Sequence, residues 1–175
     1  MTKKSYKFRL YPNEEQKEMF AKTFGCARAI WNMMLADKNK YYEETGEFLN
    51  NTPAQYKKEY PWLKEVDSLA LANAQLNLQK AYKSFFRSGF GFPRYKAKRY
   101  RQSYKTNNQN GTLVVENGKV KLPKIGWVKV RLHRKILGTI KSATISMSTT
   151  GKYYISILCE AEISPSQKTG SSVGI

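Results

Sequence analysis

Between Lys80 and Lys105 the sequence holds nine lysines or arginines, eight aromatic residues and no acid. The aromatics are Tyr82, Phe85, Phe86, Phe90, Phe92, Tyr95, Tyr100 and Tyr104. Cations neutralise phosphates and aromatic faces stack on unpaired bases, so interleaving the two suits a nucleic-acid groove. Tyr82, Phe85 and Phe86 fall at helical spacing and read first as core. From Arg94 to Lys105 no helical stripe absorbs the aromatics, and this stretch is expected to touch nucleic acid. A second set follows in Lys119, Lys121, Lys124, Lys129, Arg131, Arg134, Lys135 and Lys141. A sheet face meant only for solubility would mix signs, because like charges across strands repel.

Groups for catalysis are scarce. Metal-assisted phosphodiester hydrolysis needs converging carboxylates, and the only acid between Lys80 and Cys159 is Glu116. Glu160 and Glu162 read as ordinary surface at a strand end. His133, the only histidine, has no acid or nucleophile beside it. Cys26 and Cys159 form neither a Cys-x-x-Cys pair nor a zinc pattern and read as free, buried thiols. Neither familiar glycine-rich phosphate loop occurs. The expectation is a chain with no catalytic residue, no metal site and no cofactor of its own.

The charge is unevenly spread. Over 175 residues the formal net charge is +18, yet residues 1–79 hold 12 basic and 10 acidic side chains, whereas residues 80–159 hold 18 basic and one acidic. Such asymmetry marks a polyanion-binding surface. Hydrophobic residues at 41% and aromatics at 13% exclude a disordered basic tail. With no long apolar run and no signal-like start, the protein is expected in the cytoplasm.

These cations need elements to position them. Tyr6, Phe8 and Leu10 alternate with polar residues and predict a strand that Pro12 stops. Asn13 with Gln16 predicts a capping box. Phe20, Phe24, Ala27, Ile30, Trp31, Met34 and Leu35 predict a long helix, or two joined near Gly25, as far as about Glu44. A short helix is expected from Pro53 to Tyr60. A third opens at Asp67 or Ser68, turns Leu71, Ala74, Leu78, Tyr82, Phe85 and Phe86 inward, and ends near Gly89. From Thr112 the period becomes two, with a hairpin turn at Asn117-Gly118 and another at Thr150-Gly151. Five or so strands predict a small twisted barrel, with the first strand pairing into it and the helices inserted between the first strand and the rest.

Seven ordered blocks are then recognisable: KFRLYPNEEQ (Lys7 to Gln16), FGCARAIWN (Phe24 to Asn32), YPWLKEVDS (Tyr60 to Ser68), AYKSFF (Ala81 to Phe86), GFPRYKAK (Gly91 to Lys98), LPKIGWVKVRLHR (Leu122 to Arg134) and GKYYISILCE (Gly151 to Glu160). Together they resemble the TnpB family, also called OrfB, of transposon-encoded RNA-guided DNA nucleases related to compact type V CRISPR effectors. The resemblance implies an α+β fold: an OB-like wedge β-barrel with an inserted helical-bundle recognition lobe. Its boundaries would be 1–11 for the first barrel strand, 12–102 for the recognition lobe, 103–165 for the remaining barrel strands, and 166–175 for a linker toward a RuvC-like nuclease domain.

In the family that nuclease domain holds the catalytic carboxylates and a divalent metal such as magnesium. The run Ser172 to Ile175 resembles the residues just before the first catalytic Asp, so the chain is expected to bind and not to cut. The resemblance further implies a guide RNA derived from the transposon end and target double-stranded DNA as partners, with a C-terminal nuclease fragment as a third. Phosphate contacts would come from Arg94, Lys96, Lys98, Arg99, Lys129, Arg131 and Arg134. Readout of the motif beside the target would come from Gln55, Ser68, Asn73, Tyr104, Thr106 and Asn107. Two other readings stand beside this targeting module. One is the leading piece of an RNA-guided endonuclease completed by a separate RuvC domain; the other is a protein-only DNA binder using a helix-turn-helix.

Overall fold

The computed structural model describes residues 1–162. The expected linker at 166–175, and the Ser172 to Ile175 run within it, lie outside the described residues. The element order is β1 (Thr2–Tyr11), α1 (Glu14–Thr45), α2 (Pro53–Glu59), a 3₁₀ turn (Pro61–Glu65), α3 (Ser68–Ser88), β2 (Gln102–Asn107), β3 (Val114–Glu116), β4 (Lys119–Leu122), β5 (Gly126–Arg131), β6 (Thr139–Met147) and β7 (Tyr153–Ala161). No helix among the described residues is long and apolar enough to cross a membrane.

The capping box at the start of α1 forms as its residues predict. Asn13 Oδ1 accepts from the Gln16 amide at 2.9 Å, and Gln16 Oε1 accepts from the Asn13 amide at 3.0 Å. The helix then runs unbroken for 32 residues. Gly25 does not divide it, because its cost in a helix, about 1 kcal/mol, is small against the burial of Phe24, Cys26 and Ala27 around it. Asp67 caps α3 by accepting from the Leu69 amide at 3.0 Å, and Gly89 ends it at φ 67°, a left-handed position where glycine carries no Cβ penalty.

All seven strands pair antiparallel in the order β2-β6-β7-β1-β5-β4-β3. The first strand lies mid-sheet between β7 and β5, as expected, while all three α-helices fall between β1 and β2 in sequence. The five strands expected after Thr112 are present as β3 to β7, and with β1 and an unforeseen β2 they make seven. The expected closed barrel is corrected: the sheet is a curled half-barrel whose edge strands β2 and β3 do not pair with each other. β2 was missed because Tyr104 and Thr106 are its only buried residues, too few to show a period of two.

The inner face of the sheet carries Tyr6, Phe8, Leu10, Val128, Val130, Ile155 and Ile157, all buried. Phe20 and Phe24 of α1 close it. Phe20 stands 5.7 Å from Tyr153, and Phe24 stands 5.7 Å from Tyr104, between ring centroids. Each such side chain contributes about 1.5–3 kcal/mol by leaving water. On α3, Leu71, Ala74 and Leu78 are buried as predicted, but Tyr82 and Phe85 are only half-buried and Phe86 is exposed. The last turn of α3 lines an open groove with the end of α1 instead of a closed core.

Candidate nucleic-acid interface

Strand alternation and register assemble the outer face of the sheet. Ser103, Ser146, Tyr154, Arg9 and Arg131 stand opposite one another in sequence across β2, β6, β7, β1 and β5. Lys105, Thr144, Ser156 and Lys7 form the next row. Beyond Arg131, Tyr11 faces Lys129, which in turn faces Lys119. Arg101 donates to Ser146 Oγ at 3.1 Å and extends the first row past β2.

Arg9 and Arg131 are register partners directly across two strands, a like-charge placement that costs stability when nothing neutralises it. No acid forms an ion pair with either among the described residues. Arg9 lies between Tyr11 and Tyr154, at 5.2 and 5.6 Å from the ring centroids, and its buried Nε has no hydrogen-bond partner. Lys7 also sits over Tyr154, at 4.9 Å. Cation–π contacts of this kind hold guanidinium and ammonium groups in place without discharging them.

A second basic feature adjoins the β2 edge. The segment after α3 returns along α1 and is tied to it side chain to backbone. Trp31 Nε1 donates to the Arg94 carbonyl at 2.9 Å, and Asn32 bonds both the amide and the carbonyl of Lys96. The Lys96 ammonium lies 4.1 Å from the centre of the Trp31 ring, and burial lowers its pKa. Between this segment, α1, α3 and β2 opens a cleft of about 490 Å³. Arg28, Arg94, Lys96, Arg101 and Lys105 line it with exposed Tyr95 and Tyr100, and no acid does.

The expected phosphate-binding residues thus fall into groups. Arg94 and Lys96 line the cleft, while Lys98 and Arg99 lie in the same segment, with Arg99 5.1 Å from the Tyr100 ring centre. Lys129 and Arg131 share the outer sheet face. Arg134 is not with them: it lies 5.0 Å from the ring of Tyr6, an inner-face residue whose hydroxyl accepts from the Leu137 amide. His133 likewise packs edge-on against buried Phe8 at 5.2 Å. Arg9, Lys7, Arg28 and Tyr154 escaped the sequence reading as binding residues, and Arg101 was covered only as part of the Arg94 to Lys105 stretch. The alternation of β1 puts Lys7 and Arg9 on one face, but only the register shows which strand stands beside them.

The residues expected to read a target motif meet at the junction of α3 and β2, apart from Gln55 on α2. Asn73 Nδ2 donates to Asn107 Oδ1 at 2.7 Å and to the Lys105 carbonyl at 3.1 Å. Thr106 is fully buried, and its hydroxyl donates to Asp67 Oδ2. Tyr104 is buried against Phe20 and Phe24, and burial, then the nearby Asp67 charge, raises its pKa strongly. In this arrangement Tyr104 and Thr106 turn no side-chain surface outward, whereas Ser68 and Gln55 are exposed and Asn107 is half-exposed. Gln55 Oε1 accepts from the Thr52 amide at 3.2 Å.

Comparison with known proteins bears on what these surfaces serve. Residues 1–47 match an OrfB-type family profile described as a helix-turn-helix domain. Here that stretch holds β1 and the single continuous helix α1. Over 98% of its length the chain is 33% identical to a protein of Escherichia coli K12 named "Putative RNA-guided DNA endonuclease InsQ". The chain belongs to the TnpB/OrfB family. A Streptomyces pristinaespiralis protein named "Putative RNA-guided DNA endonuclease" is 30% identical over 99% of the chain. "Virulence protein VsdF" of Salmonella dublin is 32% identical over 51% of the chain and 88% of its own length. The chain spans less than half the length of the two endonuclease-named TnpB/OrfB relatives, 44% and 45%. Among the described residues no three His, Cys, Asp or Glu side chains converge. Both cysteines are free and buried, as the sequence indicates.

Proposed function

We propose that this TnpB/OrfB chain is a targeting module that holds a guide RNA and the duplex DNA the guide pairs with. The observation that carries the reading is the unneutralised row of Arg101, Arg9 and Arg131 across the outer sheet, beside an acid-free cleft. A like-charge array of this kind is favourable only when a polyanion fills it. On this reading the sheet is the OB-like wedge, with β1 in 1–11 and the barrel bound of 103–165 moved back one residue to take in Gln102 of β2, and residues 12–101 are the recognition lobe.

Arg94, Lys96, Lys98, Arg99, Lys129 and Arg131 hold backbone phosphates together with Arg9 and Arg101, and Arg134 joins them from the inner side. Such contacts position a nucleic acid without reading its sequence. Readout of the target-adjacent motif falls to exposed Ser68 and Gln55 and to Asn107. Asn73, Tyr104 and Thr106 position these from behind. Cleavage is the task of a RuvC-like nuclease domain, supplied by a longer chain or by a separate fragment.

The test is affinity for the RNA that copurifies with the protein, measured against salt. Neutralising roughly 6 to 10 phosphates makes log K fall with log salt at a slope of about −4 to −9. A flat response, or the absence of a discrete copurifying transcript, overturns the guided reading. The helix-turn-helix description of residues 1–47 names one competitor, a protein-only DNA binder, although that stretch folds as one strand and one unbroken helix. Sequence-specific duplex binding that survives ribonuclease treatment would establish that competitor instead.

A further inference from the structure

Trp127, near the start of β5, stands on the outer face of the sheet, 42% exposed, on the side opposite buried Val128 and Val130. Its backbone is fixed, since the Trp127 carbonyl accepts at 2.7 Å from Nε2 of the same Gln16 that caps α1. The other two tryptophans have partners for their rings, Lys96 over Trp31 and Tyr60 at 5.7 Å from Trp62, whereas Trp127 has none among the described residues. Tyr11, 43% exposed on β1, faces Lys129, two residues along β5 from Trp127. Trp127 and Tyr11 are therefore diagonal neighbours on adjacent strands, about 7–8 Å apart. Tyr154 continues the diagonal on β7 with the Arg9 guanidinium between it and Tyr11. No ring or cation is stacked between Tyr11 and Trp127 among the described residues.

A planar group held between two rings needs them about 7 Å apart, twice the roughly 3.4 Å step of a nucleic-acid strand. The diagonal spacing meets that need. Cations surround the gap: Lys129 opposite Tyr11, Lys121 opposite Trp127, Lys119 opposite Lys129, and Arg131 next along β5. Of the nearby acids, Glu116 stands at the sheet edge opposite Lys119, and Glu14 at the start of α1 is paired with Lys17 at 3.0 Å. We propose that Trp127 and Tyr11 clamp one unpaired base of a single strand whose phosphates lie on Lys119, Lys129 and Arg131. The clamp rests on the nucleic-acid reading above and narrows it. Paired bases bury their faces on one another, so only an unpaired base offers a face to a side chain. An unpaired stretch of guide RNA and a DNA strand displaced from the target duplex share this chemistry.

The test titrates nuclease-treated protein with three probes: a uridine RNA about eight nucleotides long, within the span that one such sheet covers, its thymidine DNA counterpart, and an RNA duplex. Both single strands should quench tryptophan fluorescence. Trp127→Ala and Tyr11→Ala should each weaken single-strand binding by about tenfold or more at an unchanged salt slope, while duplex affinity holds. Trp127→Phe should lose the quenching but keep most of the affinity, because a ring remains. Both side chains are exposed, and circular dichroism checks that the variants fold. Tighter binding of the RNA assigns the clamp to the guide, and equal or tighter binding of the DNA extends it to a displaced strand; either supports it. Salt-dependent binding that is indifferent to Trp127→Ala, or an equal loss for single strand and duplex, overturns the clamp and leaves the phosphate-binding reading standing. A flat salt response with all three probes sinks the nucleic-acid reading itself, and the clamp with it.

Discussion

Asn32 grips the backbone of Lys96 with both ends of its amide: Oδ1 accepts from the Lys96 N–H at 2.8 Å, and Nδ2 donates to the Lys96 carbonyl at 3.0 Å. An asparagine on a helix thereby mimics a strand partner for a segment that has no secondary structure of its own. Two net hydrogen bonds are worth about 1–3 kcal/mol. Asn32→Leu should lower stability by that amount and speed amide exchange over residues 94–101, with RNA affinity falling because Arg94 and Lys96 are no longer held. Hydrogen exchange that stays protected in the variant would show that Trp31 alone fixes the segment.

Arg9 and Arg131 make the opposite wager, costing stability in the free protein. Replacing either by Gln relieves the cross-strand repulsion, so the thermal midpoint should hold or rise while affinity for RNA falls. The salt slope should shrink by about one for each phosphate contact removed. A drop in midpoint with an unchanged slope would mean that the arginine serves the sheet and not the ligand.

The elements were largely legible in the residues, since they rest on local signals. The Asn13–Gln16 box, the Asp67 cap and the Asn117-Gly118 turn, whose φ values are 50° and 70°, each occur where their side chains dictate. Register was not legible. Lys7 and Arg9 could be assigned a face from alternation, but that Arg9 meets Arg131 depends on a pairing across more than a hundred residues. The grouping of Arg134 was missed for a similar reason: it follows β5 in sequence and looks like a continuation of the basic strand, yet the chain turns there to cross over Tyr6. Phe86 was misplaced because helical spacing shows which face a residue shares but not where the opposing helix stops.

Cys26 offers a pH-dependent test. Burial, reinforced by Glu65 and opposed by Lys22, pushes its thiol up to about 11 from an ordinary 9.0. Between those values the folded state keeps a proton that the unfolded state has lost, so stability falls as pH rises through that window. Burial acts in the same direction on Tyr82, raised to about 12. Burial lowers the pKa of Lys38 and Lys96, and their contribution has the opposite sign. Cys26→Ala should therefore make the decline between pH 9 and 11 shallower. At pH 8 the native thiol should alkylate about a hundredfold more slowly than a free cysteine, because the thiolate is the nucleophile, and should regain the free rate in denaturant.

Thr106 and Ser68 separate support from readout. Among the described residues the buried Thr106 hydroxyl is one of two donors to the Asp67 carboxylate, the other being the Leu69 amide that starts α3. Thr106→Val leaves Asp67 Oδ2 without that partner in the interior and should cost about 1–3 kcal/mol. DNA binding should weaken only as far as the α3–β2 junction loosens, with the same rank order of target motifs. Ser68 is exposed and makes no side-chain bond among the described residues, so Ser68→Ala should leave stability within about 0.5 kcal/mol. Its effect should instead be on which motif beside the target is preferred, read by binding selection from a randomised duplex. If Thr106→Val reorders the motifs at unchanged stability, the hydroxyl leaves Asp67 to meet the DNA, and the roles assigned to these two residues are reversed.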